Sequence, residues 1–404
     1  MTKPALAFIG HPFHTKTRSN NFFIEILKRE FDVHVFYIEP DPRALMEEIA
    51  NAGYELVVCW QTEFCAPYFL MRGLRVVCVP MFDGVERAPD WYWLTMRQAR
   101  FISFSQELHR NLRRLNLESY SFRYYGHSVL EVPQAKFDGL RAFFWQRRPE
   151  EGVHYKFVRH LLGDVVDALH VHNAPDRAKP EDWEPDNAAT VSHFNDDGSA
   201  YRQALEKANV FVCPRHTEGI GMSMIEALAR GMCVVAHNKA TANEYIVDGV
   251  NGLLIDFAQQ PKFKSAPSAF TRKKELLLDV AIAERLGQKA REMYLAGYRA
   301  WLEDEPRIPL LVMSAPKADL DASDRNFADT YLSICKFAHR DFGRFLFELL
   351  RLRRRGLQGH EAASVTMADQ IAWSLKRIPG AVITAKVGRR TLRVVRSIVR
   401  RLAE

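Results

Sequence analysis

The chain lacks any apolar stretch long enough to cross a membrane, and its first residues are not typical of a secretory leader. No apolar run approaches the roughly 20 residues that a transmembrane helix needs. Residues 1–12 contain an apolar stretch that is too short for a signal sequence and is typical of a first strand. The sequence therefore predicts a cytoplasmic protein.

Cysteine is scarce and scattered, which argues against a disulfide framework and against a zinc site. The chain has six cysteines, with no Cys-x-x-Cys pair and no cluster of cysteine and histidine. Four of them (Cys59, Cys78, Cys213 and Cys233) lie in apolar segments, where a thiol behaves as a small buried hydrophobe. We expect reduced thiols and no structural metal.

An acidic metal site is missing as well. No Asp-x-Asp motif of the kind that holds a divalent metal beside a diphosphate stands in a suitable turn. The pair Asp196 and Asp197 precedes a predicted helix and is better explained as a helix cap. We expect chemistry that needs neither a metal nor another cofactor.

What the chain does have is the composition of an ordinary globular protein with an unevenly placed charge. Its 404 residues are 47% hydrophobic and 26% charged, which is enough for two domains with separate cores. The formal net charge is +7, but residues 338–404 carry fifteen Lys or Arg against five Asp or Glu. The rest of the chain is therefore mildly acidic. This asymmetry favours a surface-binding tail over a nucleic-acid-binding cleft.

The last predicted helix, residues 382–402, separates apolar from basic side chains. Valine, isoleucine and leucine fall on one side, and the other side holds cations without an acid. The cations are Lys386, Arg389, Arg390, Arg393, Arg396, Arg400 and Arg401. Two interpretations stay open: the helix binds an anionic membrane surface, or it packs on the body of the protein and exposes its arginines to water.

Strands and helices alternate along most of the chain, which favours parallel sheets covered by helices. Short apolar segments recur between predicted helices in residues 1–132, and a second such series occupies residues 140–260. Residues 133–139 lack clear periodicity and are predicted to be a linker. Residues 261–404 are predicted to be a helical extension. The sequence thus predicts an α/β protein with two doubly wound domains.

One segment, residues 214–254, carries most of the chemical information. A predicted strand ends near Cys213 and runs into the glycine turn 218–221, which opens a helix. Such a turn presents unpaired backbone N–H groups and the positive end of the helix dipole, so phosphate is its natural ligand. Glu226 lies on the second turn of the helix, where a carboxylate can accept hydrogen bonds from sugar hydroxyls.

This segment closely resembles the donor site of retaining GT-B glycosyltransferases of the family 4, or group 1, type. Their signature runs Pro-Ser-x-x-Glu-Gly-Phe-Gly, then Glu-Ala-x-Ala-x-Gly-x-Pro-Val-Val-Ala, then Glu-x-x-x-x-Gly-x-Asn-Gly-Leu-Leu. The matching positions are Pro214, Glu218, Gly219, Gly221, Glu226, Ala227, Ala229, Gly231, Val234, Val235, Ala236, Glu244, Gly249, Asn251, Gly252, Leu253 and Leu254. The alternative is an ordinary Rossmann-like turn with incidental acids. The resemblance implies a GT-B fold, in which two Rossmann-like domains face a cleft and the second holds a nucleotide-sugar donor.

The resemblance also implies roles for individual residues of the motif. The backbone of residues 219–221 (Gly219, Ile220 and Gly221) is similar to the cradle for the donor diphosphate. Glu226 is similar to the glutamate that holds the nucleotide ribose, and Glu218 to the one that contacts the donor sugar. Arg215 departs from the usual serine, and Ile220 from the usual phenylalanine.

Transfer that retains the anomeric configuration without a metal or a covalent nucleophile needs cations, which neutralise the charge of the leaving diphosphate. The family usually supplies an arginine and a lysine from the first strand–helix turn of the second domain. Arg147 fits the arginine position, but Glu151 stands where the lysine is expected. Arg148, Lys156 and Arg215 are the candidates that would replace the missing charge.

The first domain offers further candidates for the cleft. His11 either touches the donor sugar or is a polar loop residue, and the same holds for His14. Asp83 either binds the acceptor or caps a turn. Trp91 and Trp93 either present aromatic faces to an acceptor sugar or pack in the core.

These features together predict a retaining glycosyltransferase that works without a metal. It would move a sugar from a nucleotide-diphosphate sugar to a lipid-linked or growing cell-envelope glycan at the inner face of the cytoplasmic membrane. Two alternatives remain: a nucleotide-sugar epimerase or phosphorylase of the same fold, or a non-catalytic, membrane-docked partner in a polysaccharide assembly complex. We expect no nucleic-acid partner.

Overall fold

The computed structural model describes residues 3–126, 133–177, 179–195, 197–257, 280–320, 322–338 and 341–356. Within these ranges the chain forms two six-stranded sheets, one after the other along the sequence. We refer to the part built on the first sheet as the first domain and to the part built on the second sheet as the second domain. The helix predicted for residues 382–402 lies outside the described residues.

The first domain is a parallel sheet of strand order β2-β1-β3-β4-β5-β6. Its strands are β1 (Ala5–Gly10), β2 (Asp32–Tyr37), β3 (Leu56–Trp60), β4 (Arg75–Val79), β5 (Arg100–Ser103) and β6 (Ser119–Ser121). Its helices are α1 (Phe13–Thr17), α2 (Asn21–Lys28), α3 (Arg43–Asn51), α4 (Ala66–Met71), α5 (Phe82–Val85), α6 (Asp90–Leu94) and α7 (Gln106–Arg114), with a 3₁₀ turn at Glu63–Cys65. Strand β3 is buried along its whole length because helices cover both faces of the sheet.

The second domain repeats this design with strand order β12-β11-β10-β7-β8-β9. Its strands are β7 (Arg141–Gln146), β8 (Ala168–Asn173), β9 (Thr190–His193), β10 (Val210–Val212), β11 (Cys233–His237) and β12 (Leu253–Ile255). Its helices are α8 (Tyr155–Leu162), α9 (Ser199–Glu206), α10 (Met222–Ala229) and α11 (Ala242–Tyr245), with 3₁₀ turns at Pro149–Glu151, Gly163–Val165 and Pro180–Trp183. The predicted pair of doubly wound α/β domains is confirmed.

The strand orders fix where a ligand can bind. In the first sheet the chain moves from β1 outward to β2 and then returns to β3 on the other side of β1. In the second sheet it moves from β7 outward to β9 and returns to β10. Ligands of open parallel sheets bind at the carboxyl ends of the strands where the order reverses. The loops after β1, β3, β7 and β10 are therefore the expected walls of a site.

The carboxyl-terminal helices pack on both domains. They are α12 (Val280–Asp304), α13 (Arg307–Met313), α14 (Ala322–Cys335) and α15 (Phe342–Gly356). Helix α12 packs against α10 and β11 of the second domain, whereas α13 packs against α2 and α14 against α4 of the first. The chain thus returns to the domain in which it began. Among the described residues, no helix combines the length and the apolar character that a membrane span requires.

The two domains also meet through Glu244, which caps a helix of the first domain. Its carboxylate accepts hydrogen bonds from the Ser105 hydroxyl at 2.9 Å and from the backbone N–H groups of Gln106 at 2.7 Å and Glu107 at 3.0 Å. A carboxylate at this position satisfies the unpaired donors of α7 and complements the helix dipole. Glu244 belongs to the sequence motif but contacts the first domain rather than facing the cleft.

Helix α12 approaches the second domain closely because two glycines face each other. A Cβ atom on Gly287 would lie 2.1 Å from the carbonyl oxygen of Gly231 and 3.0 Å from the ring of Phe137. Both neighbouring groups are packed in place, and one of them is backbone. A side chain at position 287 would therefore displace the helix.

We expect Gly287→Ala to lower the free energy of unfolding by about 1–3 kcal/mol, the usual cost of overpacking. Gly84→Ala is the control, because a Cβ on Gly84 meets no atom within 4 Å. The measurement is the midpoint and slope of denaturant unfolding for both variants and the wild type. Equal midpoints for Gly287→Ala and the wild type would show that α12 does not need this close approach.

Candidate active site in the cleft between the domains

A large cleft opens at the carboxyl ends of β1, β3, β7 and β10, between the two domains. Its volume is about 2450 Å³. A pocket for one drug-sized ligand measures roughly 300–1,000 Å³, so this cleft can hold two substrates side by side. The predicted site residues that line it are His11, Asp83, Arg147, Arg148, Arg215, Glu218, Gly219, Ile220, Gly221 and Glu226.

The glycine turn and the helix after it form where the sequence predicts them. Strand β10 ends at Val212, and the turn leads into α10 through Gly221. Gly221 has a φ of 79°, in the left-handed region that glycine adopts without strain. The first N–H groups of α10 have no partner within the helix, so they provide an anion site on the cleft wall. Their role as a phosphate cradle stays a prediction.

Gly219 lets the two domains touch at this turn. A Cβ atom on Gly219 would lie 2.9 Å from Cβ of Met81 and 3.0 Å from Oδ1 of Asp83, both in the first domain. Any side chain at Gly219 would push the domains apart. The side chain of the neighbouring Ile220 is buried as well, so packing also fixes the turn at this residue.

An ion pair joins the domains across the cleft next to this contact. The Arg215 Nη1 group of the second domain donates a hydrogen bond to Asp83 Oδ2 of the first. Burial alone would raise the pKa of Asp83, but the Arg215 guanidinium outweighs it and lowers that pKa. Asp83 was predicted either to bind the acceptor or to cap a turn; its side chain holds a buried arginine at the cleft, and both interpretations stay predictions.

Glu218 lies deep in the cleft, near two cations. Its Oε2 atom is 3.7 Å from Nη1 of Arg147. Burial raises the pKa of Glu218 even though Arg215 and Arg147 both act to lower it. A carboxyl group in this state is suited to a hydrogen bond with a neutral polar group of a ligand, such as a sugar hydroxyl.

Arg147 and Arg148 come directly after β7 and share one carboxylate. Asp176 Oδ2 accepts a hydrogen bond from Nε of Arg147 at 3.0 Å and from Nε of Arg148 at 3.1 Å. Arg147 also stacks its guanidinium over the rings of Trp145 and Phe13. Sequence reasoning missed Asp176, because it stands in a stretch rich in proline and charge that reads as a surface loop.

Glu226 is bound by a buried arginine that caps the end of the same helix. Its Oε1 atom accepts hydrogen bonds from Nη2 of Arg230 at 3.0 Å and from Nε at 3.3 Å. Arg230 is 3% exposed and lines the cleft together with Glu226. The spacing of four residues on a helix is the sequence signal that identifies this pair.

His11 and His14 both line the cleft on the side of the first domain. His11 Nδ1 accepts a hydrogen bond from the N–H of Phe13 at 3.2 Å. His14 is buried, and Trp60 donates its indole N–H to Nε2 of His14 at 3.1 Å. Burial lowers the pKa of His14, so the ring is neutral near pH 7. His14 is therefore a buried part of the cleft wall, on α1, rather than a polar loop residue.

Three of the predicted residues do not belong to the cleft. Lys156 is exposed on α8 and is not part of the lining, so it cannot replace the missing lysine. Trp91 and Trp93 are 6% and 4% exposed and pack in the core of the first domain. They belong to a buried cluster that also includes residues of the carboxyl-terminal helices, and Tyr92 between them meets the ring of Phe342 on α15, which no local pattern reveals.

Among the described residues, no group of three or more His, Cys, Asp or Glu side chains is arranged to hold a metal ion.

Comparison with known proteins connects the second domain to one family. Residues 182–293 match the family model described as "Glycosyl transferases group 1". Sucrose synthase 5 of Arabidopsis thaliana is 41% identical over 59 residues, which are 15% of this chain and 7% of that protein. Alpha-maltose-1-phosphate synthase of Mycobacterium tuberculosis is 33% identical over 97 residues, which are 22% of this chain and 24% of that protein. The matches thus span a quarter or less of these relatives' length.

Solved structures confirm the fold over most of the chain. A sucrose-phosphate synthase from Thermosynechococcus elongatus superposes with a TM-score of 0.58 at 14% identity, covering 78% of this chain and 100% of that one. HepE of Anabaena, in complex with UDP and glucose, gives a TM-score of 0.53 at 12% identity, covering 77% of this chain and 98% of that one. The predicted GT-B arrangement of two Rossmann-like domains with a helical carboxyl-terminal region is confirmed.

The ion pair between Asp83 and Arg215 is expected to stabilise the fold in a pH-dependent way. Because the pKa of Asp83 is lower in the folded protein than its ordinary value, the pair contributes above that ordinary value and is lost as the pH falls through the folded-state pKa. Asp83→Asn should lower the free energy of unfolding by about 3 kcal/mol near pH 7, since the buried Arg215 loses the partner of its hydrogen-bonded ion pair. The loss should shrink toward about pH 3.

Asp304→Asn is the control, because the Asp304–Arg307 pair is exposed and is expected to be worth less than about 1 kcal/mol. Denaturant unfolding at a series of pH values measures both. A loss for Asp83→Asn that does not change with pH would contradict the assignment.

Proposed function

We propose that this protein is a retaining glycosyltransferase of the family 4 type, which transfers a sugar from a nucleoside-diphosphate sugar without a metal. One observation carries the proposal. The turn 218–221, which includes Glu218, lies in an interdomain cleft at the start of α10. Glu226 follows it on the helix, and Arg147, Arg148 and Arg215 line the same cleft. The match of residues 182–293 to the group 1 model supports it.

The donor would bind mainly to the second domain. Its diphosphate would accept hydrogen bonds from the N–H groups of residues 219–221, where the helix dipole adds to the attraction. Arg147, Arg148 and Arg215 supply positive charge around this point. The Nε group of Arg215 is buried without a hydrogen-bond acceptor among the described residues, as expected for a group that binds an anionic ligand.

The nucleoside and the sugar would lie on either side of the diphosphate. Glu226 would accept hydrogen bonds from the ribose hydroxyls, while Arg230 holds its carboxylate in place. Glu218 would contact a hydroxyl of the donor sugar, in the deepest part of the cleft. His11 and the neutral His14 face the same space from the first domain. The complex of HepE with UDP and glucose supports a donor of this class.

Transfer would proceed by substitution at the anomeric carbon on the face that the leaving group occupies. The bond from that carbon to the diphosphate oxygen breaks, the acceptor hydroxyl oxygen bonds to the same carbon, and the hydroxyl proton passes to the departing diphosphate. The arginines stabilise the charge that develops on the diphosphate. Preoriented cations in a cleft that excludes water are the main source of rate in such a step.

The acceptor would be a lipid-linked or growing cell-envelope glycan at the inner face of the cytoplasmic membrane. The excess of ten cations in residues 338–404 supports this part of the proposal, because a basic surface is attracted to anionic lipid. The seven cations of residues 382–402 would anchor the chain without spanning the bilayer.

A non-catalytic partner of a polysaccharide assembly complex is the second candidate. The carboxylate of Glu151 favours it, because a lysine is expected there on the basis of the resemblance. In the structure Arg148 Nη1 donates to Glu151 at 3.1 Å, and Arg215 Nε lies 3.9 Å from it, so the position is surrounded by cations. Arg148 and Arg215 thus supply positive charge at this position, which supports a catalytic protein over a non-catalytic partner.

Calorimetric titration with UDP, GDP and dTDP tests the proposal. We expect one of them to bind, and Glu226→Ala to weaken its binding 10- to 100-fold, since a hydrogen bond to a charged group contributes roughly 1.5–3 kcal/mol. Glu218→Gln should bind the nucleotide normally but turn over the donor sugar slowly. Glu206→Ala, an exposed residue at the end of α9, is the control. Failure to bind any of the three nucleotides would favour the non-catalytic partner.

Deleting residues 381–404 should move the protein from the membrane fraction to the soluble fraction. A second variant, with Gln in place of the seven cations of residues 382–402, keeps the apolar face and should behave like the deletion. Sedimentation with anionic and with neutral vesicles measures both. Unchanged sedimentation of both variants would mean that the tail packs on the protein instead.

A further inference from the structure

Asp176 lies where a loop of the second domain turns back to the cleft. It follows β8 in the chain, and its backbone N–H donates to the carbonyl of Arg147 at 2.9 Å. Its side chain is only 9% exposed, although it stands in a stretch of sequence rich in proline and charge. The loop therefore brings a buried carboxylate to the end of β7.

This carboxylate fixes two consecutive arginines at once. One oxygen, Oδ2, accepts the Nε–H of both Arg147 and Arg148. Two neighbouring guanidinium groups repel each other, so a shared anionic partner is needed to hold both together. With the Nε groups held, the Nη ends are aimed outward: Nη1 of Arg147 toward Glu218 and Nη1 of Arg148 toward Glu151.

We propose that Asp176 is a positioning residue, which holds Arg147 and Arg148 in the orientation that binds the donor diphosphate. This inference rests on the proposed function. A free arginine side chain loses rotamer entropy when it binds a ligand, and a guanidinium already fixed in place does not incur this loss at binding. Asp176 touches no substrate in this role and acts through the two arginines.

The sign of the effect separates positioning from simple charge balance. Asp176 is an anion, so removing its charge makes the cleft more favourable to a diphosphate by Coulomb attraction alone. If Asp176 only neutralised the arginines, Asp176→Asn would bind the diphosphate more tightly. If it orients them, the same variant binds more weakly, because a neutral amide oxygen holds the two guanidinium groups less strongly than the charged carboxylate oxygen does.

Asp186 provides a matched control in the same loop. It accepts hydrogen bonds from Arg159 at 2.6 Å and also from Tyr155, so Asp186→Asn removes the same charge from a similar pair. The side chains of Asp186 and Arg159 are 59% and 50% exposed, and both residues lie outside the cleft lining. Any general effect of an Asp→Asn change in this loop therefore appears in the control.

The experiment measures three ligands on the wild type, Asp176→Asn and Asp186→Asn. They are the nucleoside diphosphate that the wild type binds among UDP, GDP and dTDP, the matching nucleoside, and inorganic pyrophosphate. If Asp176 is a positioning residue, Asp176→Asn should lower the affinity for the nucleoside diphosphate and for pyrophosphate at least tenfold. Its affinity for the nucleoside should change less than twofold. Asp186→Asn should match the wild type for all three.

Two results would overturn the inference. Equal or tighter diphosphate binding by Asp176→Asn would leave Asp176 with a charge-balancing role only. A loss of affinity for the nucleoside as large as that for the diphosphate, together with a lower unfolding temperature, would indicate a purely structural role. A wild type that binds none of the nucleotides rejects the proposed function itself, which is a different outcome from either of these.

Discussion

Pairing of buried charge across the cleft is the constraint on which the rest of this structure depends. A guanidinium or carboxylate that leaves water is unstable unless a group of opposite charge meets it with good geometry. Arg215 of the second domain finds that group in Asp83 of the first. The pair therefore forms only when the domains face each other, and it couples the charge arrangement of the site to the closure of the cleft.

The closed arrangement is supported by residues that lack side chains or that bridge the domains elsewhere. Gly219 lets the turn touch Met81 and Asp83, and a larger residue would separate the partners of the ion pair. Glu244 joins the domains at a second place by capping α7. The carboxyl-terminal helices pack on both domains in turn. The cleft is thus a product of contacts that are far apart in sequence.

The charges within the cleft are arranged so that cations are held before a ligand arrives. Arg147 is fixed by Asp176 and by two aromatic rings, and Arg230 is fixed by Glu226. A preoriented cation stabilises a developing negative charge without reorganisation at the moment of reaction. The same carboxylates that hold the cations also reduce their net charge, so the balance between holding and neutralising sets the affinity of the site for an anion.

The sequence by itself determined the two α/β domains, because alternating short apolar strands and amphipathic helices are local patterns. It also determined the turn at 218–221, since glycine spacing before a helix specifies backbone conformation directly. Only the tertiary structure decided which cations face the cleft: Arg215 and Arg148 do, and Lys156 does not. It also placed Trp91 and Trp93 in the core and brought Asp176 to two arginines 28 and 29 residues before it. These outcomes depend on contacts between distant segments, and a local pattern carries no information about which segments will meet.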